Sequence, residues 1–318
     1  MIAFLAAVIE RLAGYPQGLV DRIGHPVMWI GSLIGFLDTR LNRPEKSFEI
    51  RKIRGILALA IVILVTLIVA LGISELLDLL PFGWVIEVLI ASSLLAQKGL
   101  RDAVMGVADA LRSDGLDGAR HAVGQIVGRD TAGLDEAEIS RAAIETLAEN
   151  ASDGVIAPLL YLALFGLPGA AVYKAINTCD SMIGHRSERH EAFGWAAAKL
   201  DDIVNIIPAR LTALLFAGGA RFLDGADPQA ALRTAQRDAQ HHASPNAGWP
   251  EAALAGALDF GLGGPRSYRG ERVDLPGMGD GRRALGADDI ATAISLYDRA
   301  MLLALGGVAV WALLRWML

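Results

Sequence analysis

The sequence of 318 residues is poor in cysteine, in charge and in the short motifs that mark common enzyme classes. Its single cysteine, Cys179, cannot form an internal disulfide, and no C-x-x-C pair offers zinc or an iron–sulfur cluster. Neither G-x-x-x-x-G-K-[ST] nor a Gly-rich dinucleotide turn occurs, so a nucleotide would need a different binding arrangement. The absence of G-x-S-x-G and H-E-x-x-H argues against the common hydrolases and zincins.

Charged residues make up 20% of the chain, against about a quarter in typical soluble domains. The net charge of -6 offers no basic footprint, so we expect no nucleic-acid partner. Residues Met1 to Ala13 lack a basic n-region and a cleavage site. They predict a first membrane-associated helix rather than a removed signal peptide.

Long hydrophobic runs are abundant, with 53% hydrophobic residues and a mean hydropathy of +0.40. Ile56 to Ile73 contains no charged residue and can cross a bilayer as a helix. A soluble core helix this apolar on all faces is rare. Trp84 to Ala96 and Met301 to Leu318 are further candidate spans, the latter with Trp311 and Trp316 as interfacial anchors. The fold class predicted is an all-α polytopic membrane protein.

Charge asymmetry predicts the orientation. Seven basic residues lie between Tyr15 and Ile56: Arg22, Arg40, Arg43, Lys46, Arg51, Lys52 and Arg54. The connection from Ser74 to Gly83, with a break predicted at Ser74 to Pro81, has no base. The positive-inside rule therefore places residues 15–55 and 98–154 in the cytoplasm. We expect a multi-pass protein of the cell (inner) membrane with its active site facing the cytoplasm.

The apolar segment Val155 to Val172 is interrupted by Pro158, Gly166, Pro168 and Gly169. Such clusters end helices, so two short halves forming a broken, re-entrant-like hairpin fit better than one span. A plain crossing stays open as the alternative. Ile203 to Ala217, with Pro208 and Arg210 inside it, poses the same question, and the number of crossings is left open.

We predict a single integral membrane domain over 1–318. Membrane helices occupy 1–97, polar and re-entrant catalytic segments 98–300, and a C-terminal membrane helix 301–318. Loops are expected at Ser244 to Asn246 and Gly261 to Pro265, and an irregular loop at Gly270 to Gly286.

The first polar constellation is Arg141 to Gly154, RAAIETLAENASDG. Arg141, Glu145 and Glu149 are four apart, which places them on one helix face. The polar residues that follow are Asn150, Ser152 and Asp153. A solvated face with a Ser or Asp cap is the ordinary interpretation. The run abuts the broken segment, however, and irregular backbone at membrane depth occurs mainly where it lines a cavity, which favours a site.

The second constellation is Tyr173 to His190, YKAINTCDSMIGHRSERH. Lys174, Asn177 and Asp180 or Ser181 recur at helical spacing, and Gly184 should end that helix. Arg186, Arg189 and His190 then form a basic loop. Lys and Arg beside Gly suit phosphate oxygens. Attraction to lipid headgroups would explain the basic loop but not Asn177 or Asp180.

Two weaker signals follow. In KLDDIVNIIPAR (199–210), Asp201, Asp202 and Asn205 lie three and four apart and offer hard oxygen ligands that suit Mg²⁺. In HHASPNAGWPE (241–251), Pro250 should begin a helix with Glu251 near its positive end, after a loop exposing backbone donors. A surface turn and an unliganded His pair are the plain alternatives.

Four runs together resemble one family. They are GHPVMWIGSLI (24–34), ETLAENASDGVIAPLLY (145–161), YKAINTCDSMIGHRSERHEAFGWAAAKLDDIVNIIPARLTAL (173–214) and SPNAGWPEAALAGAL (244–258). They resemble the adenosylcobinamide-phosphate synthase family, membrane enzymes of late cobalamin biosynthesis. The resemblance runs from about Gly24 to Glu271 and includes GLGGP and YRGE. Four long motifs in order are far more specific than one short pattern.

The resemblance implies an ATP-dependent amide ligation. The propionate carboxylate of adenosylcobyric acid would be joined to the amine of (R)-1-aminopropan-2-ol, or of its O-phosphate, giving adenosylcobinamide (phosphate). Activating a carboxylate as an acyl phosphate calls for Mg²⁺, cations that bind phosphate and a group that deprotonates the ammonium. ATP and Mg²⁺ are therefore the expected cofactors.

Residue roles are assigned on that basis. Mg²⁺ is assigned to Asp201, Asp202 and Asn205, phosphate charges to Lys174, Arg186 and Arg210, and the amine to Glu145, Glu149 and Asp153. The catalytic set is Glu145, Glu149, Asp153, Lys174 and Asp180. The substrate- and phosphate-binding set is His25, Asn150, Asn177, Ser181, Arg186, Arg210, Ser244, Asn246, Trp249 and Glu251.

Two other classes stay open. The fold family is similar in outline to a membrane sensor or regulator of β-lactamase induction, which would bind without catalysis; the acidic and SPNAGWPE runs argue against it. A secondary transporter would place ionisable residues at mid-membrane, whereas Ile56 to Ile73 has none. Expected partners are both substrates, the lipid bilayer, and other cobalamin-pathway enzymes or a second copy of the chain.

Overall fold

The computed structural model describes residues 1–15, 18, 22, 24–185, 187–268 and 271–317. The α-helices are α1 Ile2–Ala13, α2 Pro26–Leu41, α3 Phe48–Asp78, α4 Gly83–Ser92, α5 Gln97–Ser113, α6 Gly115–Gly124, α7 Glu136–Asn150, α8 Ala157–Ile183, α9 Trp195–Val204, α10 Ile206–Ala220, α11 Pro228–Asp238, α12 Gly248–Leu258 and α13 Ala287–Met317. A π-helical turn, Ala151–Ile156, joins α7 to α8, and a 3₁₀ turn, Ala239–His241, follows α11. The all-α prediction is confirmed.

Among the described residues, four helical stretches are long and apolar enough to cross a membrane: Phe48–Asp78, Gly83–Ser113, Glu136–Ile183 and Ala287–Met317. Taking α9 and α10 as one broken span would make five. The predicted break beginning at Ser74 was wrong, because α3 continues to Asp78. The first proline after Ser74 is Pro81, so no proline ends the helix at the predicted position. Ser74 stays within α3, and its hydroxyl donates to Glu87 Oε1 of α4 at 3.1 Å.

The chain divides into two compact units that interleave in sequence. Unit 1 comprises Met1–Ala96, Ala157–Asn205 and Val308–Leu318; unit 2 comprises Gln97–Ile156 and Ile206–Gly307. The first boundary falls beside the division predicted at residue 97. The single membrane domain stays a prediction.

In unit 1, α3 packs against α2, α8 and α9. The buried core there contains Ile34, Leu37, Leu59, Val62, Cys179, Ile183 and Phe193. Gly55 of α3 is essential to this packing, since a Cβ atom at that position would lie 1.8 Å from the carbonyl oxygen of Phe193. Any side chain at position 55 would push the loop before α9 away from α3.

The helix α8 contains the break that its Pro and Gly residues predict. Gly166 has φ 68° and ψ −164°, which is not helical, and Pro168 follows within the same element. The rings of Tyr161 and Tyr173 stack with centroids 5.1 Å apart. Twelve residues of straight helix would separate them by about 18 Å. The two halves therefore fold back on each other, so the re-entrant-like hairpin is confirmed and 136–183 is not one straight crossing.

Unit 2 is built on small side chains that let helices approach closely. Its buried core is rich in alanine and valine, including Val104, Val107, Ala142, Ala143, Ala231, Ala253 and Ala255. The helix α12 packs against α10 and α11, and a Cβ atom at Gly256 would lie 2.5 Å from the carbonyl oxygen of Ala230. A capping box of Asp135 and Glu138 begins α7. These features fix α7 and α12, which carry the carboxylates described below.

Two short strand pairs follow α12. Strands β1 (Leu262–Gly263) and β4 (Gly277–Met278) pair antiparallel, as do β2 (Arg266–Tyr268) and β3 (Glu271–Val273). The irregular loop predicted for Gly270 to Gly286 was therefore wrong in part, because β3 and β4 lie within it; Gly270 itself is outside the described residues. Leu262 and Met278 pair across β1 and β4 and are both buried, which anchors the segment.

Candidate active site

Glu145 is the centre of a buried ion cluster in unit 2. Its Oε2 atom lies 3.1 Å from Arg129 Nη2 and 3.0 Å from Arg266 Nη2. Its Oε1 atom accepts a hydrogen bond of 2.7 Å from the backbone N–H of Gly263. The side chains of Glu145 and Arg129 are only 6% and 10% exposed. Two guanidinium groups thus neutralise Glu145 and tie α7 to the segment that contains β1 and β2.

Glu251, in the first turn of α12, is a second buried carboxyl of unit 2. It is 1% exposed, and its Oε2 atom has no hydrogen-bond partner among the described residues. Burial raises the pKa of Glu251 well above its ordinary value. The charges of Glu145 and Glu149 raise it further, against the opposing effect of Arg266 and Arg129. This carboxyl is therefore disposed to hold a proton.

His242 faces Glu251, with its Nε2 atom 3.6 Å from Glu251 Oε1. The backbone N–H and the carbonyl oxygen of Ser244 lie 3.0 Å and 3.3 Å from His242 Nδ1, so Ser244 holds the ring by this nitrogen. Burial lowers the pKa of His242, which favours the neutral imidazole. The Nε2 atom is the ring nitrogen that faces Glu251.

The N-terminus of α12 is organised by Ser244. Its Oγ atom accepts hydrogen bonds from the backbone N–H groups of Asn246 at 3.2 Å and Ala247 at 3.3 Å. The backbone donors expected to be exposed in this loop are thus used inside it. The helix begins at Gly248, so the prediction that Pro250 begins it was wrong by two residues. Pro250 still lies in the first turn, where its missing N–H leaves no bond unmade.

Arg210, Asn246 and Trp249 come together, as their shared assignment to binding requires. The guanidinium carbon of Arg210 lies 4.7 Å from the centroid of the Trp249 ring. Arg210 Nη1 donates to Asn246 Oδ1 at 3.1 Å. A cation–π contact and a hydrogen bond thereby join α10 to the first turn of α12.

The rest of the acidic run on α7 reaches the surface. Glu149 lies one turn after Glu145, as the spacing predicts, and is exposed. Asn150 Nδ2 donates to the carbonyl oxygen of Thr146 at 3.0 Å at the end of α7. Asp153 is partly exposed in the π-helical turn that follows. Such turns are frequent at functional sites.

A second polar cluster lies in unit 1, where amides and a phenol surround Asp201. Asp201 is 8% exposed; its Oδ2 accepts from Asn205 Nδ2 at 2.9 Å and its Oδ1 from Asn177 Nδ2 at 3.3 Å. Asn205 Oδ1 in turn accepts from the Tyr173 hydroxyl at 2.9 Å. Asp201 and Asn205 share the helix face that their spacing predicts, and their hydrogen bond is part of a longer chain of polar side chains.

Asp180 and Asp202 add negative charge around Asp201, since both carboxylates act on it electrostatically. Asp202 differs from Asp201 in its surroundings, with a side chain 31% exposed and Oδ2 3.4 Å from Lys199 Nζ. Consecutive residues of a helix point about 100° apart, and Asn205, four residues after Asp201 and three after Asp202, projects between them.

His25 precedes α2 in unit 1. Its Nδ1 accepts a hydrogen bond of 3.2 Å from the backbone N–H of Val27. Burial lowers the pKa of His25, and the charge of Lys174 lowers it further. Lys174 therefore brings its positive charge close to His25.

The assigned residues fall into two sets. Unit 1 holds His25, Lys174, Asn177, Asp180, Ser181, Asp201, Asp202 and Asn205. Unit 2 holds Glu145, Glu149, Asn150, Asp153, Arg210, Ser244, Asn246, Trp249 and Glu251. The Ser181 hydroxyl donates to the carbonyl oxygen of Asn177 at 2.9 Å. Arg186 lies outside the described residues. The chemical roles stay predictions.

Sequence reasoning missed Arg129, Tyr173 and Arg266, and weighed His242 only as a metal ligand beside His241. The sequence did indicate that cations should lie near Glu145, because a carboxylate buried on α7 must be compensated by positive charge. Spacing could not identify them, since Arg266 is more than a hundred residues from Glu145. Tyr173 opens the second motif but is indistinguishable by pattern from a core aromatic.

The oxygen donors of unit 1 suit a hard cation. Among the described residues, no group of three or more His, Cys, Asp or Glu side chains could hold a metal ion. Mg²⁺ is usually held by one or two carboxylates together with waters and phosphate oxygens. Asp201, Asp202 and Asn205 fit that smaller requirement. Lys174 in unit 1 and Arg210 in unit 2 are cations that suit phosphate oxygens.

The fold and the two clusters define a polytopic helical membrane protein. One cluster, in unit 1, joins a buried carboxylate to amides, and the other, in unit 2, joins a buried carboxylate to guanidinium groups. The family model described as CobD/Cbib protein matches residues 3–297, and the chain belongs to this family. The resemblance seen in the four motifs is confirmed.

Curated relatives extend the match over nearly the whole chain. "Cobalamin biosynthesis protein CobD" of Sinorhizobium fredii is 48% identical over 303 residues, covering 94% of this chain and 93% of that protein. The protein of the same name from Rhodobacter capsulatus is 46% identical over 300 residues, covering 93% and 92%. That of Sinorhizobium sp is 45% identical over 317 residues, covering 99% and 98%. No solved structure matches the chain.

Proposed function

We propose that this chain acts in cobalamin biosynthesis as an ATP-dependent amide ligase. It would join (R)-1-aminopropan-2-ol, or its O-phosphate, to the propionate carboxylate of adenosylcobyric acid. The observation that carries the proposal is the family match over residues 3–297, supported by relatives named for cobalamin biosynthesis. The two polar clusters supply the residue types that such a reaction needs.

The unit 1 cluster is proposed to bind Mg²⁺ and phosphate. When bound, ATP and Mg²⁺ would supply the phosphoryl group and the charge neutralisation that turn a carboxylate into an acyl donor. Asp201 and Asp202 would hold the cation with Asn205, while Lys174 would neutralise phosphate oxygens. Tyr173 orients the Asn205 amide through its 2.9 Å hydrogen bond and so acts as a positioning residue.

The unit 2 cluster is proposed to receive the amine. Glu149 is exposed and Asp153 partly exposed, so both can meet an ammonium group arriving from solvent. Glu145 is already neutralised by Arg129 and Arg266, so its proposed part is to hold the segment carrying β1 and β2 in place. Arg210 on Trp249 offers a further cation for phosphate.

A mass measurement tests the proposed reaction. Purified protein in lipid nanodiscs would receive adenosylcobyric acid, aminopropanol phosphate or aminopropanol, ATP and Mg²⁺. We expect a product heavier than the acid by the amine minus water, formed only when ATP is present. Absence of product with either amine would favour a binding protein of the sensor type or a carrier.

The metal assignment has its own test. Asp202→Ala should abolish amide formation while the protein still inserts into the membrane. Lys199→Met is the matched control, because it breaks the 3.4 Å Lys199–Asp202 contact but keeps the carboxylate. Near-normal turnover of Asp202→Ala would remove Asp202 from the metal site.

The cytoplasmic orientation is proposed from the basic residues before α3. Lys52 lies over the ring of Trp195, 3.9 Å from its centroid, a pairing suited to a membrane interface. Cysteines introduced at Ser187 and Ser244 should both react with a membrane-impermeant maleimide from the cytoplasmic side only. Labelling of the position-244 cysteine from outside alone would exclude a cytoplasmic amine site.

A further inference from the structure

The unit 2 cluster contains a buried carboxyl oxygen without a hydrogen-bond partner among the described residues. Glu145 has two guanidinium partners, from Arg129 and Arg266. Glu251, enclosed beside them, has an Oε2 atom with no partner among the described residues. The Arg129 Nε donor also lacks a partner there. Buried polar groups are normally hydrogen-bonded, so an orphan carboxyl oxygen and an orphan donor in one cluster indicate a place where a ligand group is received.

We propose that Glu251 accepts the proton that the ammonium group of the amine substrate must lose before its nitrogen attacks the activated carboxyl. The inference rests on the ligase function proposed above. It makes Glu251 a catalytic base rather than a residue that only binds substrate. Its Oε2 atom is the acceptor, because Oε1 faces His242.

The proposed step is balanced in atoms and charge. Ionised Glu251 takes one proton from R–NH₃⁺, leaving a neutral amine and a neutral carboxyl. The nitrogen lone pair then forms the C–N bond while the C–O bond to phosphate breaks, and the phosphate departs with the electron pair. The second nitrogen proton leaves with the phosphate, and Glu251 returns its proton to solvent before the next turnover.

The surroundings of Glu251 favour this role. Glu145 and Glu149 face it from α7, Arg129 and Arg266 act on it from the segments around them, and His242 faces it from the loop before α12. Burial and the two carboxylates raise the pKa of Glu251, which makes it a stronger base than an exposed glutamate. Arg266 and Arg129 oppose this rise and so favour the ionised form that the step requires.

Enclosure of Glu251 requires a local opening. A cavity of about 10 Å³, room for about one water, lies beside His242 and Arg266. Its other walls are Ala243, Leu275, Pro276 and Met278. The amine would enter at this cavity, and its enclosure would exclude water from the acyl donor.

Hydroxylamine separates deprotonation from the other steps, because it is already neutral at pH 7 and needs no base. Full-length wild type and Glu251→Gln would be given adenosylcobyric acid, ATP and Mg²⁺ with either aminopropanol or hydroxylamine. We expect Glu251→Gln to form the amide about 100-fold more slowly, the scale of general base catalysis. Its hydroxamate rate should stay within about 3-fold of wild type. The acid limb of its amide pH–rate profile should shift up towards the pKa of the free ammonium group, because only amine that is already neutral can then react.

Matched variants complete the design. Glu136→Gln removes an exposed carboxyl from the first turn of α7 and should leave both rates unchanged. Glu251→Asp keeps a carboxyl and should return the acid limb towards the lower pH of wild type. Equal loss of amide and hydroxamate in Glu251→Gln would overturn the proposal, because Glu251 would then serve structure or activation. Failure of wild type to form either product would instead refute the ligase function itself.

Discussion

The two polar clusters hold their buried carboxylates in opposite ways. In unit 2, Glu145 is compensated by two guanidinium groups and a backbone N–H. In unit 1, Asp201 accepts hydrogen bonds from the amides of Asn177 and Asn205, which carry no charge. Neutral donors stabilise a carboxylate without cancelling its charge. The comparison teaches that the hydrogen-bond partners of Asp201 leave its charge uncompensated, whereas those of Glu145 compensate it and hold the fold together.

The largest expected difference comes from changing each carboxylate to its amide. Glu145→Gln should destabilise the protein by about 3–5 kcal/mol, because it leaves buried guanidinium groups without a counter-charge. Asp201→Asn should cost only about 1–2 kcal/mol, since the amide can keep part of its hydrogen bonding. Thermal unfolding of both variants in the same detergent measures the difference.

A double variant tests the reason for that difference. Arg129→Met combined with Glu145→Gln removes both a buried cation and its partner, so the loss should be smaller than the sum of the single losses. Equal destabilisation by Glu145→Gln and Asp201→Asn would mean that the guanidinium pairing does not distinguish the two clusters.

The next effect concerns the pH dependence that Glu251 gives to unit 2. Because burial raises the folded-state pKa of Glu251, the folded protein binds more protons than the unfolded chain above the ordinary glutamate pKa. That stabilisation is complete below the ordinary pKa and is lost as pH rises through the raised one. The Gln side chain of Glu251→Gln does not titrate. The melting temperature of the variant minus that of wild type should therefore increase as pH rises from 5 to 8.

His242 contributes the opposite slope and must be separated. Its pKa is lowered by burial, so its stabilisation is present above the ordinary histidine pKa and is lost as pH falls. Both proteins contain His242, so the difference between their melting temperatures largely cancels this term. A difference that stays constant across pH would contradict a raised pKa for Glu251.

The fold followed from the sequence wherever a local rule governs it. Ile56 to Ile73 lacks charge and therefore lies in a spanning helix, and the Pro and Gly residues near Gly166 break α8 as their backbone preferences require. Helix ends were less predictable. The helix α3 runs past Ser74 because nothing before Pro81 stops it. The strand β4 pairs with β1 through Leu262 and Met278, which are both buried and are distant in sequence.

The candidate site was predictable along one helix but not across the chain. Spacing placed Asp201 with Asn205 and Glu145 with Glu149, since residues four apart share a helix face. It could not bring Arg266 to Glu145 or His242 to Glu251, because these contacts depend on tertiary packing. The same limit explains why the raised pKa of Glu251, which depends on distant neighbours, was not foreseen.

Tyr173 gives a smaller and more specific test of unit 1. Tyr173→Phe removes the 2.9 Å hydrogen bond to Asn205 Oδ1, which should cost about 1 kcal/mol of stability. Tyr161→Phe is the matched control, because its hydroxyl donates to the carbonyl oxygen of Val204 at 3.0 Å. Of the two variants, only Tyr173→Phe should also raise the Mg²⁺ concentration needed for half-maximal turnover, because Tyr173 orients an amide that is hydrogen-bonded to Asp201 and Tyr161 does not. Equal changes in both variants would give Tyr173 a structural part alone.

The smallest change in stability is expected at the Arg210–Trp249 contact. Variants there test whether burial or the guanidinium group itself determines how much such a contact stabilises unit 2. Its contact with Trp249 is less enclosed than the pair of Arg129 and Glu145. Trp249→Leu should therefore lower the free energy of unfolding by about 0.5–1 kcal/mol more than the loss of buried apolar area accounts for, which is the range of cation–π contacts near a surface. Arg210→Lys keeps the charge but loses the planar stacking and should fall within that range. Thermal unfolding of both variants checks this; a loss as large as that of Glu145→Gln would show that guanidinium contacts stabilise unit 2 regardless of burial.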